Sequence, residues 1–166
     1  MKKLLILIIF TISFTAIAYS QNKLKDGLYL VNRIDTIAGQ PSELSVNEMN
    51  VYFSKMFEEY NTDEYARIVI DTTQYVPLEL EAAPKTEQQT EDKKKLLLSL
   101  TKEASQRLES FTTKHLMKRV TLIVDGEALT MHKIKTAITG GQLQITRCND
   151  NACKTLYVKL KDNVVK

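Results

Sequence analysis

The chain is poor in the residues from which most recognised reaction centres are built. It has five glycines, two histidines and two cysteines in 166 residues. It contains no G-x-S-x-G nucleophile elbow, no H-E-x-x-H zinc helix and no phosphate-cradling glycine loop, which removes the usual signatures of a hydrolase, a zinc protease or a nucleotide enzyme. Two thiols without a neighbouring histidine are too few for a structural zinc site, so no metal and no cofactor is implied. Charge of one sign is scarce as well. Removing Lys2 and Lys3 with an export signal leaves 21 basic against 20 acidic side chains, a net of +1. Such a surface gives no electrostatic footprint for nucleic acid.

Long apolar runs are limited to one. Met1-Lys2-Lys3 is a basic start, Leu4 to Ala18 is apolar, and Ala18-Tyr19-Ser20 carries small residues at cleavage spacing. This pattern is that of a secretory signal peptide over 1–20, cleaved after Ser20, with Ala16-Ile17-Ala18 as a second option. The run of 15 residues is shorter than the roughly 20 needed to span a bilayer. No second run of that length follows, so no membrane span is expected after cleavage. No cysteine follows the signal directly to take a lipid. The expected location is periplasmic or extracellular.

The remaining 21–166 read as one domain, long enough to bury a core. Leu28–Ile34 is strand-like. Residues 36–44, with Gly39 and Pro41, read as a loop. Ser45-Val46-Asn47-Glu48 matches a capping box, and Met49, Tyr52, Phe53, Met56, Phe57 and Tyr60 follow at helical spacing. That favours a helix over 45–60, with a short strand at 50–54 as the alternative. Tyr65–Ile70 and Val76–Glu81 read as two strands, the second at a sheet edge because Pro77 has no N–H to donate. Residues 82–95 are so polar that a mobile loop is expected. Leu96–Leu100 is a strand, and Thr101 caps a helix whose face carries Ala104, Leu108, Phe111 and His115.

From 120 to 147 the sequence is a compact unit: an apolar strand at 120–124, a turn at Asp125-Gly126, a short helix at 132–138, and Gly140-Gly141 as its cap. A half-buried strand over 142–147 completes it, with Leu143 and Ile145 on one face. Asn149-Asp150-Asn151 reads as the tip of a hairpin leading into a last strand at Thr155–Lys161. Across the base of that hairpin, Cys148 and Cys153 face each other within reach of a disulfide, favoured in an oxidising compartment. Free thiols are the other reading.

Several of these residues together resemble a known family. Leu98-Ser99-Leu100-Thr101-Lys102-Glu103-Ala104, Phe111-Thr112, Lys118-Arg119, Val124-Asp125-Gly126 and Ile138-Thr139-Gly140-Gly141 with Ile145 resemble the head subdomain of the first periplasmic domain of the SecD and SecDF protein-export family. The match runs over about residues 96–147, with a head-like core extending to 161. The resemblance implies a single α+β domain with a mixed or antiparallel sheet and two to three helices. It does not extend to the proton-carrying membrane helices of the exporters. Where the family has a Ser-Ala-Pro step, this chain has Thr130-Met131-His132.

Three functions remain. The favoured one is an exported, non-catalytic interaction module that contacts polypeptide or an envelope protein, as the resemblance implies. The second is a small secreted hydrolase-like enzyme with an unrecognised site; His132 with Asp125 would be its base and orienter, although the turn explains Asp125 better. The third is a purely structural envelope protein. For the favoured reading, Leu129, Thr130, Met131, His132 and Lys133 form one wall of a binding surface, Met131 adapting to varied apolar sequences. The alternative is that Leu129 and Met131 pack inward.

Overall fold

Eight strands and two helices follow the chain, in a computed structural model that describes residues 24–35, 43–54, 56 and 67–165. The segment expected to be a signal, residues 36–42 of the expected loop, and the aromatic positions Phe57 and Tyr60 lie outside the described residues. The strands are β1 (Gly27–Asp35), β2 (Glu48–Val51), β3 (Arg67–Pro77), β4 (Lys85–Gln88), β5 (Lys94–Ser99), β6 (Arg119–Val124), β7 (Glu127–Lys133) and β8 (Gln142–Cys148). Helix α1 (Lys102–Lys114) follows β5, and α2 (Asp150–Leu160) follows β8. The strands form two sheets, ordered β2-β3-β1-β6-β7 and β4-β5-β8. Every strand pair is antiparallel, and the whole is a single α+β domain.

The five-stranded sheet buries both of its faces, so its strands carry apolar residues on each side. One face places Leu28, Val76, Val120, Leu122, Val124 and Leu129 against Leu96, Leu98 and Ile145 of the smaller sheet and against both helices. Helix α1 contributes Ala104 and Leu108, and α2 contributes Ala152, Leu156 and Leu160. The other face holds Tyr29, Val31, Val51, Ile68, Ile70, Ile123 and Ala128. This second face closes on itself. Beyond β2 the chain crosses to the far edge of its own sheet, where Phe53 forms a parallel bridge with Ala128 of β7. The Ala128 N–H donates to the Tyr52 carbonyl at 2.9 Å, and the Ser54 N–H donates to the Ala128 carbonyl at 2.8 Å. Inside the closure the rings of Tyr29 and Tyr75 stack 4.7 Å apart. Burial, with the nearby Tyr75 and Asp26 adding to it, pushes the Tyr29 hydroxyl well above its ordinary pKa.

The structure corrects several expectations. Residues 48–51 are a strand, not part of a helix, and Phe53 continues it as a bridge. The Ser45–Glu48 signal is real but builds a turn: the Glu48 carboxylate accepts from the Ser45 N–H, and the Glu48 N–H donates to the Ser45 carbonyl, each at 3.0 Å. Arg67–Pro77 is one continuous strand, not two, and it lies inside the sheet between β2 and β1. Pro77 is tolerated because it is the last residue of β3, opposite Gly27. Within 82–95, Lys85–Gln88 pairs with Lys94–Leu97. A hairpin ladder orders this polar stretch, although all four β4 side chains are exposed.

The last strand is also replaced. Asn149 is not a hairpin tip but a helix N-cap, its side-chain oxygen accepting from the Ala152 N–H at 2.9 Å. Residues 155–160 are therefore helical. Leu156 and Leu160, four apart, are fully buried, whereas Val158 is half exposed. Thr101 caps α1 as expected, its hydroxyl accepting from the Ala104 N–H at 3.2 Å. The residues facing the core from α1 are Ala104, Leu108 and Thr112, with Phe111 partly buried.

Candidate functional site

The β6–β7 hairpin positions the candidate binding residues. Asp125 and Gly126 both have positive φ, 53° and 81°, the geometry of a two-residue turn whose twist matches that of its strands. The Asp125 N–H donates to the Asp26 carboxylate at 2.7 Å, and its own carboxylate pairs with Lys159 at 2.8 Å. The turn is thus tied to the start of β1 and to the end of α2. Strand β7 continues to Lys133, where a helix beginning at 132 was expected. The helix fails because cross-strand pairing with β6 persists through His132 and Lys133, opposite Val120 and Arg119, and tertiary pairing outweighs a short period-3.6 pattern. No helix forms over 134–141.

Gly140 and Gly141 do have positive φ, 76° and 64°, but they lead into β8 rather than end a helix. Gly141 has a second reason to be glycine. A Cβ there would lie 1.8 Å from the Ser105 Oγ of α1. The backbone passes this close because the Gly141 carbonyl accepts from the Leu100 N–H at 2.9 Å.

The five candidate residues divide by burial. A bulge lies between the pairs Thr130–Leu122 and Ala128–Ile123. It adds one residue, so Leu129 and Thr130 both turn toward the core, at 1% and 9% exposure. Neither presents a side chain to a partner. Met131 is half-buried, and His132 and Lys133 are exposed. His132 and Asp125 are not brought together: they are about 20 Å apart along an extended strand, and the base–orienter pair does not form. Among the described residues, no group of three or more His, Cys, Asp or Glu is placed to hold a metal ion. The Glu79 carboxylate is engaged by Arg107.

What β7 offers beyond side chains is an edge. It is the last strand of its sheet, and among the described residues its outer side is occupied at Ala128 by residues 52–54 and not beyond. The Ile134 N–H donates to the Lys118 carbonyl at 2.9 Å. By antiparallel alternation, residues 130 and 132 turn their backbone groups to β6, and Met131 and Lys133 turn theirs outward. Sequence reasoning missed this edge because it read no strand between the Asp125-Gly126 turn and the helix expected from 132, where β7 runs. The unbroken pairing partner at 119–124 was the available signal.

Near the open end, α1 finishes at His115, whose ring lies 4.8 Å from that of Phe111. Burial, then the positive charges of Lys114 and Lys118, lower the His115 pKa below its ordinary value, with Asp71 opposing them. On the opposite edge, the Glu48 carboxylate accepts from the Ser45 N–H, Asn32 and Arg33, which hold its pKa down at about 2.

Comparison with known proteins gives one family match. The model described as "SecDF, P1 head subdomain" matches residues 59–163. Two solved structures are similar. The crystal structure of SecDF in the super-membrane-facing form is 26% identical with a TM-score of 0.42, over 51% of this chain and 12% of that one. A structure described as a membrane component SecDF that enhances protein export is 16% identical with a TM-score of 0.45, over 82% of this chain and 62% of that one. The chain therefore spans less than two thirds of either. No curated protein matches. No helix among the described residues is long and apolar enough to cross a membrane.

Proposed function

The chain belongs to the family of SecDF P1 head subdomains, and from that membership we propose that it is an exported, non-catalytic module that contacts polypeptide in the cell envelope. The observation that carries the reading is the edge of β7, which beyond Ala128 has no neighbour on its outer side among the described residues. An extended polypeptide adds to such an edge as a further strand, its backbone pairing with the outward groups of Met131 and Lys133. Met131 supplies an adaptable apolar contact, and His132 and Lys133 supply polar ones. This places the polypeptide against a different set of groups from the five-residue wall read in the sequence: Leu129 and Thr130 now support the strand from behind.

The proposed compartment is the periplasm or the exterior, with cleavage after the signal at 1–20. A disulfide between Cys148 and Cys153 belongs to the same reading. Support comes from the compartment and from the lack of any free cysteine among the described residues. The loop it closes is short, so the chain-entropy model gives about 2 kcal/mol, and the double Cys→Ser variant should still fold. Two reactive thiols in freshly exported, denatured protein would remove it.

The test of the polypeptide reading is capture of an unfolded export substrate. Replacing Met131 by Ser and His132 by Asn should weaken capture about tenfold, or about 1.4 kcal/mol, with little change in melting temperature. Unchanged capture, or loss only through unfolding, would make β7 scaffold.

A further inference from the structure

A second surface lies at the same end of the molecule, where α1 turns into β6. Its centre is a pocket of about 240 Å³ lined by residues 31–34, 117–119 and 133. The lining is basic: Arg33, Lys118, Arg119 and Lys133. Arg33 is answered within the protein by Glu48 at 2.8 Å and Asp35 at 3.5 Å. Lys118, Arg119 and Lys133 have no carboxylate partner among the described residues. Arg119 and Lys133 stand directly opposite each other across the β6–β7 pair, a like-charge arrangement that costs stability in a sheet. Both side chains are exposed.

Two apolar side chains accompany these cations. Leu116 is 46% exposed and Met117 is 61% exposed. Met117 adopts a φ of 66°, a left-handed conformation that is uncommon for a residue with a side chain. The fold holds it there: the Met117 N–H donates to the Ile134 carbonyl at 2.8 Å, and the Lys118 N–H donates to the His115 carbonyl at 3.1 Å. The turn therefore presents Leu116 and Met117 to solvent at a fixed place, beside Lys114, Lys118 and Arg119.

We propose that this corner docks the exported protein on an anionic phospholipid surface, with the phosphates taken by Lys118, Arg119 and Lys133 and the acyl boundary by Leu116 and Met117. A soluble acidic peptide would satisfy the cations but leave the two apolar side chains in water. An anionic bilayer surface takes both at once, because charge and apolar area meet at the headgroup level. Docking there is peripheral and needs no spanning segment. It would hold the β7 edge beside the membrane, so it goes beyond the polypeptide reading without depending on it.

The test is co-sedimentation of the exported protein with vesicles of phosphatidylcholine containing phosphatidylglycerol, against phosphatidylcholine alone. Lys133 is left unchanged because it also belongs to the β7 edge. The parent should bind the anionic vesicles and release them as salt rises. Lys118→Gln with Arg119→Gln should lower binding by about fivefold for each cation removed. Met117→Ser should lower it further without changing the salt dependence, and capture of unfolded polypeptide should survive in both variants. Equal binding to neutral vesicles would overturn the proposal. So would variants that bind like the parent while keeping its melting temperature, or an acidic peptide bound by the parent in place of the vesicles.

Discussion

Strand β7 is held on two sides at one end and on one side at the other. At Ala128 it lies between β6 and the crossing segment 52–54, with hydrogen bonds to both. From Thr130 to Lys133 its one partner among the described residues is β6. The closed end is walled by apolar residues from both cores, Leu129 on one face and Ala128 on the other. The open end carries His132, Lys133 and, across the ladder, Arg119, all exposed. Pairing groups left free at an edge are a liability unless something uses or blunts them. Here the charges of Lys133 and Arg119 blunt the edge against self-association, and in the proposed function an extended partner makes use of it.

Substitutions at the two ends should separate sharply. Leu129→Ala, at the closed end, opens a cavity in the main core and should cost about 2–5 kcal/mol in denaturant unfolding. Ala128→Leu adds volume where the crossing segment closes the second core, and should cost about 1–3 kcal/mol. If both were tolerated, the closed end would not be the anchor of the strand. Next in size is the pH dependence near the open end. Because the folded His115 binds its proton less readily than the unfolded chain does, stability should fall as pH drops below about 6.5. His115→Gln should flatten that slope in thermal melts between pH 5 and 8. The smallest effect belongs to Met131→Ala, which should change stability by less than about 1 kcal/mol while altering capture. A large stability loss there would mean that the open end is structural after all.

How much of this was legible in the sequence depends on which force decides each element. Thr101 with Glu103, and Asp125-Gly126, act locally, so the α1 start and the β6–β7 turn could be read from their own residues. Two apolar stretches misled in opposite directions. Met49, Tyr52 and Phe53 have helical spacing, but β2 is decided by its ladder with β3, which lies nearly twenty positions away in the chain. Leu156, Val158 and Leu160 alternate like a strand, yet Ala152, Leu156 and Leu160 at intervals of four are the residues that pack. Asn149 offers both a turn and a helix cap, and only the buried face tells them apart. The candidate residues 129–133 lie on β7, but not with the exposure expected of them. Residues 129–133 were placed on the surface as side chains, whereas the structure buries two of them and offers the backbone of two others. A one-residue bulge decides that, and nothing in the local sequence marks it.

Strand addition requires the outward amides of β7 to be free in the isolated protein and paired when polypeptide is bound. Residue-resolved hydrogen exchange, with and without an unfolded export substrate, reads this directly. Met131 and Lys133 should exchange quickly alone and become protected on binding, while Thr130 and His132, already paired with β6, should change little. Protection of all four before any substrate is added, or no change at Met131 and Lys133 when substrate is captured, would contradict strand addition at this edge.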